Sequence, residues 1–221
     1  MAAVRNVSSQ VEVWGGEIGP HNGMGGPGDG TPGNCDNNLV CGRYGSTLWY
    51  ADAMASKAKA GYAAFCRQDF IGADYGLVNF TSHLPSPDYW LLLIWQRLIG
   101  TRVLSVTAPP TDPRIRVYAF CGTTNATATL IIVNLGPAAT CLAPPGIADI
   151  IAPRMEYRLT PTDGTVLSSG IDLNSQTLNF NADGTLPSLA GTPADPASPI
   201  LVNALSVTFV AIQTSADACM G

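Results

Sequence analysis

At Gly100 the hydrophobic pattern of this 221-residue chain changes period, and that change leaves few folds open. Before it, strand-like and helix-like runs alternate. Val11, Val13 and Trp14 form a short apolar run, apolar on both sides as a parallel strand buried on both faces would be. Over 44–60, Leu48, Ala51 and Ala55, with Lys59 continuing the row, recur at helical spacing and predict one apolar face, and Gly61 stops the helix. A second apolar run at 62–66 ends in Arg67-Gln68-Asp69. Ser86-Pro87-Asp88 then offers an N-cap, a proline at the first helical position and a first-turn acid ahead of a strongly apolar 89–99. Strand, helix, strand, helix at this spacing is a βαβα unit, which implies a parallel sheet or barrel.

After Gly100 no helical period survives. Residues 101–107, 114–121, 127–134, 155–160, 177–181 and 202–213 are β-prone runs separated by Pro, Gly, Asp and Asn clusters. Regular short strands with turn signals predict an antiparallel sandwich, with Val117 and Ala119 on one face and Arg116, Tyr118 and Phe120 on the other. The expected division is therefore an α/β part over 1–100 and an all-β part over 101–221.

Charge removes several functions. With 11 Lys plus Arg against 16 Asp plus Glu, net charge -5, and the cations scattered singly, no basic stripe exists to neutralise a phosphate backbone, so nucleic acid is excluded as a partner. The longest apolar run, 89–95, is too short to span a bilayer, and residues 1–10 lack the apolar core of a signal peptide. The 46% apolar and 12% charged composition is that of a packed globular chain.

Candidate chemistry concentrates in 11–33. The first strand runs into Gly15-Gly16-Glu17-Ile18-Gly19, a carboxylate with glycine on both sides where regular periodicity ends. A catalytic carboxylate at the tip of a barrel strand would look like this, and so would a solvated loop acid. Gly23-Met24-Gly25-Gly26-Pro27-Gly28 formally matches GxGxxG, but no helix opens after Pro27 to hold a pyrophosphate, so a dinucleotide site is rejected. Six cysteines, at 35, 41, 66, 121, 141 and 219, contain no paired CxxC units and only His21 and His83 could assist them, so no zinc site is expected. Cys35 and Cys41 are close enough in sequence for a local staple across a long loop. Acceptor patterns for N-glycosylation occur at Asn6, Asn79 and Asn125. Disulfides and glycans both point to a secretory route, which conflicts with the absent signal peptide unless the natural start lies upstream.

Several motifs in order carry a resemblance. Cys66-Arg67-Gln68, the run from Ile71 through Asp74-Tyr75-Gly76 to Asn79, Pro87-Asp88-Tyr89-Trp90, Trp95-Gln96-Arg97-Leu98-Ile99-Gly100, Arg116-Val117-Tyr118 and Glu156-Tyr157-Arg158 are similar to the C-terminal part of heparanase-like proteins of glycoside hydrolase family 79, the plant branch in particular. The resemblance implies the C-terminal part of a (β/α)8 barrel followed by an antiparallel β-sandwich domain. It implies that Glu17 is the catalytic nucleophile of a retaining glycosidase, whose protonated partner carboxyl would stand about 5–5.5 Å away. Tyr75 would help hold a uronic acid, and the backbone amides of Gly23 and Gly25 would cradle its carboxylate. The same resemblance pairs Cys121 with Cys219, while Cys66 is expected to pack as a small hydrophobe and Cys141 has no evident partner.

The departures are informative. Where family members tend to carry a tyrosine shortly after the nucleophile, this chain has His21 and Asn22, and its loop is longer by the segment holding Cys35 and Cys41. His21 would be either a cationic substrate contact or a solvated loop residue. The general acid of such enzymes sits on an earlier strand beside an asparagine; Glu12 is too near Glu17 in sequence to oppose it, and about six preceding barrel strands are absent. The chain therefore reads as a C-terminal fragment, inactive alone, of an enzyme acting on glucuronic-acid-containing glycans or glucuronides. The alternative is a non-catalytic carbohydrate-binding or structural remnant. No cofactor is called for. Expected partners are the carbohydrate and the missing N-terminal part of the barrel, and the parent protein is expected to be secreted, in the cell wall or in a vacuolar-lysosomal compartment. Peripheral membrane or cell-wall association is open to the family, although nothing in these residues encodes it.

Overall fold

The computed structural model describes residues 11–20, 40–72, 75–107, 110–144, 146, 150, 152–214 and 219–220. Its first four elements follow the expected alternation: β1 (Trp14–Ile18), α1 (Tyr44–Lys59), β2 (Ala64–Arg67) and α2 (Pro87–Leu98). β1 and β2 pair in parallel, with Trp14 opposite Ala64 and Ile18 opposite Arg67. Helix α2 starts where proline fixes the first turn, but the Ser86 hydroxyl does not cap it. That hydroxyl donates instead to the Gly76 carbonyl at 2.9 Å, tying the preceding loop to the helix start. Asp88, the first-turn acid, is buried.

Two expectations for β1 need correction. The strand begins three residues later than Val11, and it is not buried on both faces: Val11 is 51% and Trp14 60% exposed, while Gly15 is buried. Among the described residues β1 pairs with β2 alone, so its outer edge and one face have nothing packed on them.

The rest of the chain is β3 (Val103–Leu104), β4 (Ile115–Cys121), β5 (Thr127–Asn134), β6 (Thr140–Leu142), β7 (Arg154–Pro161), β8 (Ile171–Leu173), β9 (Gln176–Thr177), β10 (Thr192–Ala194), β11 (Ile200–Val202) and β12 (Ser206–Gln213). Eight of them form one antiparallel sheet in the order β3-β4-β5-β12-β7-β8-β9, with β10 on β7, and β6 pairs with β11 in a separate ladder. The predicted run at 202–213 is thus two strands, broken where Leu205 takes a φ of 45°.

Period-two alternation sorts the two faces. Tyr118, Phe120, Ile131, Val133, Leu159, Val207 and Phe209 face α1 and α2, packing with Tyr44, Leu48, Trp90, Leu91 and Ile94 in one cluster. Val117, Ile132, Val210 and Ile212 face the other way, against Leu142, Ile200 and Val202 of the small ladder. The expected antiparallel sandwich is not shown: the helices take one face of the large sheet and a two-stranded ladder takes part of the other. Apolar residues on either side of Gly100 share one core, with Trp95 edge-on to Phe120 at 5.6 Å and the Tyr44 hydroxyl donating to the Leu159 carbonyl at 2.6 Å. Close approach makes Gly100 necessary: its amide donates to the Cys121 carbonyl at 2.8 Å, and a methyl group there would sit 2.9 Å from that same oxygen.

Two polar features lie within this β part. Glu156, on β7 and fully buried, pairs with Arg154 at 2.6 Å and with Arg158. Cys121, at the end of β4, is bonded to Cys219, 98 residues away.

Candidate active site

In parallel βα units the loops that carry chemistry leave the C-terminal ends of the strands. Here those ends are Glu17-Ile18 and Arg67, brought side by side by the parallel pairing. Glu17 is exposed. The Gln68 amide donates to the Ile18 carbonyl at 2.9 Å, so the residue after β2 is fixed against the residue after Glu17. Tyr75 is only 7% exposed, and its hydroxyl donates to Gln68 Oε1 at 3.3 Å. A chain of contacts therefore runs from the end of β1 through Gln68 to Tyr75. Of the residues expected for the uronate cradle, His21, Gly23 and Gly25 lie outside the described residues, as does Cys35.

Neither of the other glutamates competes with Glu17 for the site. Glu12 accepts from Trp14 Nε1 at 3.1 Å, and Glu156 is consumed in its buried pairs with Arg154 and Arg158. Burial pushes the Tyr50 phenol, which packs under the site, well above its ordinary value, and the Arg67 charge partly offsets this. The sequence noted Arg67-Gln68-Asp69 as polar residues at a strand end without giving Gln68 a role. The signal was their position, directly after the strand that lies beside the nucleophile candidate.

The cysteines divide as follows. The Cys121–Cys219 bond agrees with the pairing the resemblance implied. Cys41 is disulfide-bonded. Cys66 is free and exposed, so the expectation that it packs as a small hydrophobe is corrected: its side chain lies on the uncovered side of β2. Cys141 is also free and exposed. Asn79 and Asn125 are both exposed.

The fold around this site is that of part of a TIM-barrel glycosidase. The fold is shared with a glycoside hydrolase family 30 subfamily 8 xylanase from Clostridium acetobutylicum (TM-score 0.63, 15% identity, 97% of this chain and 45% of that one). It is also shared with xylanase C of the same family from Talaromyces cellulolyticus (TM-score 0.57, 15% identity, 94% and 42%). Both are TIM-barrel enzymes of which this chain matches a part. By sequence the chain is similar to heparanase-like proteins and a β-glucuronidase. It is 30% identical to heparanase-like protein 1 of Arabidopsis thaliana (84% of this chain, 40% of that protein) and 29% identical to mouse heparanase (97% and 39%). It is 28% identical to baicalin-β-D-glucuronidase of Scutellaria baicalensis (74% and 31%). The chain thus spans between 31% and 40% of the length of these curated relatives. No protein-family profile matches it.

Proposed function

We propose that the polypeptide to which this chain belongs is a retaining glycosidase acting on β-linked glucuronic acid, in a glycan or a small glucuronide, with Glu17 as nucleophile. The observation that carries this reading is an exposed carboxylate at the C-terminal end of β1, next to Ile18, whose carbonyl accepts from the amide of Gln68, the residue that in turn accepts from the Tyr75 hydroxyl. Glu17 attacks the anomeric carbon and displaces the leaving oxygen, which takes a proton from a carboxylic acid supplied by polypeptide outside this chain. Water then hydrolyses the glycosyl ester, so the configuration is retained.

Tyr75, His21 and the amides of Gly23 and Gly25 are proposed to hold the uronate. Residues 1–100 are proposed as the barrel portion and 101–221 as an appended β domain. Three disulfide-bonded cysteines, Cys41, Cys121 and Cys219, support a secretory location. The test is proton NMR of 4-nitrophenyl β-D-glucuronide hydrolysis by the complete polypeptide. β-Glucuronic acid should form first and Glu17→Gln should abolish turnover; first formation of the α-anomer would refute a glycosyl-enzyme.

A further inference from the structure

We infer that Arg67 is the positioning residue of this site: its guanidinium fastens the carbonyls of Gln68 and Tyr75 together and so sets both side chains beside the end of β1. The inference rests on the glycosidase reading above.

The observations are local and mutually consistent. Arg67 ends β2, and its side chain is only 4% exposed. Nη1 donates to the Gln68 carbonyl, and Nη2 donates to the Tyr75 carbonyl at 2.6 Å and to Asp88 Oδ2 at 2.9 Å. One rigid fork therefore spans two carbonyls seven residues apart, and the Tyr75 hydroxyl meets Gln68 Oε1 as a result. The fork is itself oriented. The other oxygen of Asp88 accepts from Ser46 Oγ at 2.8 Å and Thr47 Oγ1 at 3.0 Å, both on α1, so α1 aims Asp88 on α2, and Asp88 aims Arg67. The rings of Trp49, Tyr50 and Tyr75 surround the guanidinium at 5.8, 5.2 and 5.7 Å.

One feature argues against a purely stabilising role. Arg67 Nε is buried and has no hydrogen-bond partner, so the guanidinium leaves a donor unmet while serving the two carbonyls. Lysine cannot substitute. A single ammonium lacks the planar fork that reaches both carbonyls and the carboxylate at once.

The experiment uses the complete polypeptide and a glucuronic-acid-configured epoxide that alkylates the nucleophile. Saturation kinetics separate binding from bond formation, and near-UV circular dichroism with thermal melts checks folding. Arg67→Lys should melt cooperatively yet label on the order of 100-fold more slowly, the effect expected when reacting groups shift by about an ångström. Tyr75→Phe should also slow labelling, and Arg67→Lys/Tyr75→Phe should be no slower than Arg67→Lys alone, because the arginine acts through Tyr75. If Arg67→Lys does not fold, Asp88→Asn, which keeps the acceptor shape, carries the same test against Tyr75→Phe. Labelling of Arg67→Lys at the parent rate, or effects that multiply with those of Tyr75→Phe, would overturn the positioning role and leave the glycosidase reading intact. A parent protein that hydrolyses no glucuronide and is not labelled would overturn both.

Discussion

Removing the Cys121–Cys219 bond tests how the last segment of the chain is held. The bond closes a loop with a sequence separation of 98, between Cα atoms 5.3 Å apart. In the chain-entropy treatment, a cross-link over about 100 residues withdraws about 4.7 kcal/mol of conformational freedom from the unfolded ensemble. At about 2–4 °C per kcal/mol for a protein of this size, the melting temperature should fall by about 10–20 °C. Both cysteines are buried, packed with Ala128 and Leu104, so Cys121→Ala/Cys219→Ala leaves no buried hydroxyl to confuse the comparison. The free thiols of Cys66 and Cys141 should be replaced by serine in both proteins, since both are exposed and could exchange with the bond. Calorimetry of the two proteins reads the difference. A fall of only about 3 °C would refute the entropic argument and imply that the unfolded chain keeps the two ends together without the bond.

Other perturbations test other parts of the structure. Glu156→Ala strands Arg154, which is only 1% exposed, and should cost about 3–5 kcal/mol by urea unfolding. Phe209→Ala opens the core shared by sheet and helices and should cost about 3–5 kcal/mol in the same assay. Burial and the hydrogen bond to Asp52 raise the Tyr118 phenol from 10.0 to about 12. The folded state therefore holds that proton more tightly than the unfolded chain. Its contribution is complete below pH 10.0 and is lost as pH rises through about 12, and Tyr118→Phe should flatten that part of the melting profile. Gly100→Ala should lower the melting temperature, because the added methyl meets the backbone carbonyl of Gly122 first and that of Cys121 next.

Much of the fold was legible in periodicity alone. Pro87 and the apolar run behind it mark α2, and the alternation through Val117, Tyr118 and Phe120 sorts the faces of β4 correctly. What covers each face was not legible, because an apolar side chain reads the same whether a helix or a second sheet lies on it; hence the sandwich of two sheets was expected where α1 and α2 fill one side. Exposure of Val11, Trp14 and Cys66 was missed for a related reason. Their sequence is that of strands packed on both faces, a property of a complete barrel and not of the described pair. In the candidate site, the expectation for Glu17 came from its glycine flanks and the family resemblance, and the structure places it exposed at the end of β1. The roles of Arg67, Gln68 and Asp88 were not legible, since they depend on hydrogen bonds between residues distant in sequence, Arg67 to Asp88 and Asp88 to Ser46 among them.

The most direct test of the central claim is covalent trapping. A 2-fluoro glucuronyl fluoride, incubated with the complete polypeptide and followed by peptide mass spectrometry, should leave one glycosyl adduct on the peptide containing Glu17, and none after Glu17→Gln. An adduct on any other carboxylate, in a protein that still turns over glucuronides, would contradict the account.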